Sequence, residues 1–214
     1  MKNTALFFDL DGTLFDTRAD LAATVNHTRA DLGLDAIAQD TIIANVGQGA
    51  RYLMANSIPE SDLPFEELWA IFSGHYAEHC ADMLRPYDGV EATLAELARR
   101  GYALGVNTNK PNFAVRAISE KFPWMKEFFG AAVVAGGDCR EMKPSALPLH
   151  ECAAKLGRRL SSSDWMVGDA WNDVHCASNA GVQSVFCRFG FGSLKEIAPT
   201  RSIDAFAELL DFLK

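Results

Sequence analysis

Short apolar runs recur along this chain, and amphipathic stretches separate most of them. Ala5–Phe8 is the first run, and residues 102–106, 131–135, 165–167 and 184–187 repeat it. A run this short, bounded by turn residues and lacking polar–apolar alternation, reads as a strand buried on both faces. Between the later runs the apolar spacing is helical. Residues 90–100 form one such stretch, closed by Gly101, and residues 113–122, 146–156 and 174–180 form others. Strand alternating with helix calls for an α/β architecture, a doubly wound parallel sheet of Rossmann-like form.

Residues 17–85 interrupt this rhythm. Leu21, Val25, Ala30 and Leu32 mark one helical stretch, and residues 41–46, Ala50–Ser57 and Phe65–His79 mark three more. Nothing in this block reads as a strand. The expected organisation is a core domain of residues 1–16 and 86–214, with an all-α domain, residues 17–85, inserted after the first strand. Arg85-Pro86-Tyr87-Asp88-Gly89 is the expected return linker, because Pro and Gly punctuate loops.

In open α/β sheets ligands bind beyond the carboxyl ends of the strands. Four polar groups fall there. The first is Asp9-Leu10-Asp11-Gly12-Thr13-Leu14-Phe15-Asp16-Thr17. Asp9 and Asp11 are two apart, which puts both carboxylates on one face of an extended segment. Crowded carboxylates share a proton or a cation, although an Asx-turn closing the strand accounts for the same residues. The second group is Thr108-Asn109-Lys110. A hydroxyl and an amide can donate to phosphate oxygens, and ordinary loop chemistry is the plain alternative. The third is Lys143-Pro144. The fourth is Gly168-Asp169 with Asp173, whose carboxylates suit a hard cation such as Mg²⁺. Asp173 is equally a helix-start acid favoured by the dipole. Lys110 either adds positive charge near phosphate or is solvated. Trp171 either lines the site mouth or packs its helix.

All four groups follow their own strands in order, and in that order the chain resembles the haloacid dehalogenase-like hydrolase superfamily, phosphoglycolate phosphatase-like branch. The DxDGTLxDT signature stands unbroken at residues 9–17. Thr108 with Asn109, Lys143-Pro144, and Gly168-Asp169 with Asp173, Ala177 and Gly181 match the other three motifs. The resemblance covers essentially the whole chain. It implies a phosphatase that hydrolyses small phosphate monoesters through an aspartyl-phosphate. In it Asp9 is the nucleophile and Asp11 the general acid and base. Mg²⁺ is implied on Asp9, Asp169, the Asp11 main-chain carbonyl and Asp173, directly or through water. Thr108, Asn109 and Lys143 are implied as phosphate ligands, with Lys143 also offsetting charge. Haloalkanoate dehalogenases and phosphonoacetaldehyde hydrolases usually lack an aspartate at position 11. Asp11 therefore favours an oxygen leaving group that needs a proton. Ala146 replaces a proline common in relatives, and Asn107 replaces an apolar residue.

The helical block resembles the family's mobile cap. Gly47, Gly49 and Arg51 lie in a cap loop expected to face the active site. Arg51 is the candidate for the substrate's carboxylate, a guanidinium being a bidentate partner for one; solvent exposure or pairing with a cap acid is the alternative. The leading substrate is 2-phosphoglycolate. A phosphomutase of the β-phosphoglucomutase type would use the same motifs, and a catalytically silent phosphate-binding protein would have no need of Asp11.

Composition narrows the remainder. A net charge of -8 disfavours nucleic acid and anionic membrane surfaces as partners. No apolar run approaches the ~18 residues of a spanning helix. Five cysteines without a CxxC pair argue against a disulfide framework or structural zinc. The first residues offer only Ala5-Leu6-Phe7-Phe8 before Asp9, too short for a signal-peptide core. The expectation is a cytoplasmic enzyme, monomer or homodimer, acting on a small phosphorylated metabolite. Of the five histidines only His75 and His79 have ligand-like spacing. Without the Glu of an HExxH pattern, that pair reads as one face of a helix.

Overall fold

The computed structural model describes residues 4–213. The chain begins with β1 (Ala5–Phe8) and a two-residue strand β2 (Phe15–Asp16). Four helices follow, α1 (Arg18–Asp31), α2 (Gln39–Ile43), α3 (Ala50–Ser57) and α4 (Phe65–His79), before the short β3 (Arg85–Pro86). The alternating part comprises α5 (Val90–Arg99), β4 (Ala103–Pro111), α6 (Asn112–Lys121), α7 (Trp124–Phe129), β5 (Val133–Gly136), α8 (Leu147–Lys155), β6 (Trp165–Gly168), α9 (Trp171–Ala180), β7 (Gln183–Cys187) and β8 (Arg201–Ile203). A single 3₁₀ turn, Phe206–Glu208, leads into α10 (Leu209–Phe212).

Six strands make one parallel sheet in the order β5-β4-β1-β6-β7-β8. β1 is central because all four of its residues are apolar and fully buried. Its side chains alternate between two cores. Leu6 and Phe8 join α5, α6, α7 and the C-terminal turn, while Ala5 and Phe7 join α8 and α9. The doubly wound sheet is therefore as expected. The chain moves outward from β1 on one side through β4 and β5, and on the other through β6, β7 and β8. That reversal opens a crevice at the carboxyl end of β1, the place where ligands bind in such sheets.

Strand β4 runs further than the apolar run 102–106 indicated. Its pairing with β5 shifts register between Asn107 and Pro111, and such irregularities re-aim side chains near sites. Here the shift carries Thr108, Asn109 and Lys110 into the crevice. The missed elements have weak patterns: β8 is only three residues long, and α7 follows α6 after a two-residue break.

The helices between residues 18 and 79 have an apolar core of their own, centred on Val25, Ile42, Met54, Phe72 and Tyr76. Ala114 of α6 joins it, so the block packs onto the α/β part. The expected return linker is in part a strand. Phe15–Asp16 pairs antiparallel with Arg85–Pro86, which binds the outgoing and returning chain side by side. β3 thus straddles the expected boundary at 85/86. The Asp20 carboxylate of α1 accepts from the Met83 and Leu84 amides (2.7 and 2.8 Å), a second tie across the same neck. All five cysteines are free. Among the described residues, no helix is long and apolar enough to cross a membrane.

Candidate active site

Asp9 follows the last residue of β1, and its amide donates to the Val167 carbonyl of β6 (2.9 Å). Its carboxylate is buried and lies 2.8 Å from Lys143 Nζ. Lys143 Nζ also donates to Asp173 Oδ1 at 2.6 Å. Asp173 sits in the first turn of α9, and its other oxygen accepts the Ala170 amide (3.0 Å). Asp169 follows the end of β6 and is buried. Its Oδ2 takes the amides of Phe191 and Gly192 (3.0 and 2.7 Å). Carboxylate oxygens of Asp9, Asp169 and Asp173 gather within 4.8 Å of one another.

This crowding requires glycine at several positions, Gly12 and Gly168 among them. Gly12 turns the chain at φ +78°, and a Cβ there would lie 2.0 Å from Asp169 Oδ2. A Cβ on Gly168 would lie 2.1 Å from Asp173 Cγ. The GDxxxD spacing is thus a packing demand as well as a supply of ligands.

The two carboxylates of the first motif do not share one partner. Asp9 faces Lys143. Asp11 faces Lys110 Nζ at 2.9 Å, and the same ammonium donates to the Tyr76 hydroxyl of α4, also at 2.9 Å. Each acid therefore has its own lysine, and both lysines are almost completely buried.

Burial opposes charge on Lys143, but Asp173 and Asp9 more than offset it and raise its pKa above the ordinary value. For Lys110 burial is likewise outweighed, by Asp11 and Tyr76. Both lysines stay cationic. Asp169 is pushed well up, first by burial and then by the Asp173 and Asp9 carboxylates. Burial lifts Asp173 to about 7 despite Lys143 beside it. Four carboxylates (Asp9, Asp11, Asp169, Asp173) thus face two ammonium groups. Excess negative charge and an all-oxygen donor set fit a hard divalent cation such as Mg²⁺.

Thr108 and Asn109 are both buried at the crevice. The Asn109 amide is taken up within the protein. It donates to the carbonyls of Gly47 and Lys143 (both 2.9 Å) and accepts the Lys143 amide (2.9 Å). Its side chain thus ties the Lys143 loop to the helical block, where a phosphate contact was expected. Asn172 donates to the same Gly47 carbonyl at 2.6 Å. Gly47 and Gly49 line the cavity with Leu21, Ile43, Val46 and Leu53 opposite Asp9 and Asp11. The space open to water between these faces is only about 50 Å³.

Of the two readings of Arg51, the structure shows the pairing with a cap acid. Its guanidinium forms a bidentate pair with Glu66 (2.6 and 3.0 Å) and lies over the Trp69 ring, 4.5 Å from the centroid. It lines a neighbouring groove of about 420 Å³ rather than the cavity at Asp9. The acid that holds it is fifteen residues away, beyond any local pattern. Trp171 packs against His175 and Lys195 and is outside the cavity wall. Sequence reasoning missed Tyr76, Asn172 and the 191–192 amides. The first lies among ordinary core aromatics of α4, and backbone donors carry no side-chain signature.

The strand-end carboxylate Asp9, the two buried lysines and the inserted helical block lie on a chain that is similar to known proteins. The haloacid dehalogenase-like hydrolase model matches residues 6–187, and the chain belongs to that family. It is a phosphoric monoester hydrolase. It is 37% identical over 209 residues to the phosphoglycolate phosphatase of Agrobacterium fabrum, covering 94% of this chain and 88% of that one. The Chromobacterium violaceum phosphoglycolate phosphatase is 34% identical, with 98% and 96% covered. The N-acetylmuramic acid 6-phosphate phosphatase of Pseudomonas aeruginosa is 32% identical, with 89% and 84% covered. The crystal structure of a predicted phosphoglycolate phosphatase from Haemophilus somnus superposes with a TM-score of 0.90 at 29% identity over the full length of both chains.

Proposed function

We propose that this protein is a Mg²⁺-dependent phosphatase of the cytoplasm, and that 2-phosphoglycolate is its substrate. The observation that supports this reading best is the placement of Asp9. It stands at the carboxyl end of the central strand, on the cavity wall, with Lys143 Nζ at 2.8 Å and a second carboxylate, Asp11, held separately by Lys110.

The chemistry follows from those partners. The Asp9 carboxylate attacks phosphorus, and the bond to the ester oxygen breaks as the aspartyl-phosphate forms. Asp11, in its protonated form, gives its proton to the departing oxygen. It then takes a proton from the water that attacks the aspartyl-phosphate, which releases phosphate and regenerates Asp9. Lys110 and Tyr76 keep the Asp11 carboxylate at a fixed distance from Asp9. Lys143 holds Asp9 and Asp173 in place and offsets the repulsion between an anionic nucleophile and an anionic ester. Mg²⁺, held by Asp9, Asp169, Asp173 and the Asp11 main-chain carbonyl, would supply positive charge for the phosphoryl oxygens. Thr108 and the main chain at Asn109 complete the phosphate cradle.

The residues between 18 and 79 act as a cap. Its face on the cavity is apolar apart from Tyr76 and the Gly47–Gly49 turn. The carboxylate of 2-phosphoglycolate would meet the N-terminal turn of α3 at Ala50, where backbone amides point outward. A relative is named for a sugar phosphate, N-acetylmuramic acid 6-phosphate, so such esters belong in the test. Release of inorganic phosphate from a panel of phosphate esters, with Mg²⁺ and without any bisphosphate activator, tests the reading. The highest kcat/KM is expected for 2-phosphoglycolate. Release from no ester at all would refute phosphatase action. Turnover that depends on a bisphosphate would favour the phosphomutase.

A further inference from the structure

We infer that the cap carries a separate transition-metal site formed by His27, His75 and His79. On α4, His75 and His79 are one turn apart and share a face. α1 packs beside α4 and places the His27 ring 5.6 Å from His75 and 5.0 Å from His79, centroid to centroid. One ring nitrogen from each of the three lies within 4.8 Å of the others. With zinc–nitrogen bonds of ~2.0–2.1 Å, tetrahedral ligand atoms stand roughly 3.3 Å apart. Binding would require the three nitrogens to draw together from within 4.8 Å of one another to that spacing.

Two further contacts make this more than a chance cluster of imidazoles. His75 Nε2 bonds Asp31 Oδ2 at 2.7 Å, and His79 Nδ1 bonds Asp82 Oδ2 at 2.8 Å. Each bond uses one ring nitrogen and leaves the other for a cation. A carboxylate on the far nitrogen fixes the ring and makes it a more basic ligand. Glu78, 3.8 Å from His79, adds negative charge beside the site. Three imidazoles select Zn²⁺, Ni²⁺ or Cu²⁺ over Mg²⁺, which prefers oxygen. The site is thus chemically distinct from the carboxylate cluster at Asp9. Because His27 is exposed, water would complete the coordination of a bound ion. A bound ion would join α1 to α4.

The test uses tag-free protein with saturating Mg²⁺, so that the Asp9 cluster is occupied. Zn²⁺ is titrated by calorimetry, and Co²⁺ is added separately to read its visible absorption. One Zn²⁺ per chain is expected, with a nitrogen-ligated Co²⁺ spectrum. His27→Gln should weaken Zn²⁺ binding roughly tenfold or more, and Asp31→Asn by about 10–100-fold. His27→Gln should leave Mg²⁺-dependent phosphate release unchanged. His75→Gln, checked for folding by circular dichroism, provides a second ligand deletion. The inference falls if wild-type protein binds no Zn²⁺ under these conditions. It also falls if Zn²⁺ binds equally well to His27→Gln and His75→Gln. Failure of the phosphatase reading would leave this result untouched, because the titration does not depend on turnover.

Discussion

On the core side of the cavity, Lys143 and Lys110 are 4% and 3% exposed; Lys143 holds two carboxylates and Lys110 one, at 2.6–2.9 Å. On the cap side, the Arg51–Glu66 pair has equally short contacts but exposed side chains. The geometry is alike and the surroundings are not. A buried pair deprived of one partner leaves a charge stranded in low dielectric, whereas an exposed pair exchanges its partner for water. The core therefore keeps its site rigid through charge, and the cap is free to vary its surface. At the cavity, hydrogen bonds tie the two sides together through the Gly47 carbonyl and the Tyr76 hydroxyl.

The sharpest way to break this contrast is at the nucleophile. Asp9→Asn should abolish phosphate release in a protein that still folds, because an amide is nearly isosteric yet a poor nucleophile. Substantial turnover in a folded Asp9→Asn protein would refute the covalent route. Next in size, Lys110→Met should destabilise the fold by about 3–5 kcal/mol in urea unfolding, because Asp11 and Tyr76 lose their common donor. A loss as small as that of an exposed pair would show that the buried side is not special.

Proton competition gives a smaller effect with a definite sign. Burial raises the Asp173 pKa in the folded state to about 7, well above the ordinary carboxylate range. Below about 4 both states hold the proton and nothing is lost. As pH rises towards 7 only the folded state retains it, so metal-free stability falls. Mg²⁺ must displace that proton, so it should raise the unfolding temperature more near pH 8 than near pH 6. The opposite ordering in thermal melts with and without Mg²⁺ would contradict the assignment of Asp173 to the cation. The smallest effect is expected at Arg51. Arg51→Ala should leave kcat/KM for 2-phosphoglycolate within about twofold. A large, substrate-specific rise in KM would return Arg51 to the cavity.

Much of this architecture was legible because its signals are local. The apolar runs located five of the six strands in the sheet, and Gly101 marked the end of α5. Asp9, Lys143, Asp169 and Asp173 were legible because four motifs kept a fixed order along the chain. What was not legible depends on distant partners. Lys110 reads as surface or site until Asp11 and Tyr76 are seen on either side of it. Asn109 reads as a phosphate ligand until Gly47 and Lys143 are seen to use its amide. His27 carries no spacing relation to His75, which lies 48 residues away, and only helix packing joins them.

The central position of β1 also has a kinetic side. Ala5–Phe8 pairs with Ala103–Val106 on one edge and with residues 165–167 on the other. Roughly a hundred residues must leave the ribosome before its first partner exists, and some sixty more before its second. In that interval the helical insertion can collapse on local contacts, while a fully apolar tetrapeptide waits unpaired. Non-local parallel pairing of this kind is slow, and the waiting strand is open to association with other chains. During refolding from urea, the helices of the insertion should gain protection from hydrogen exchange before β1 does.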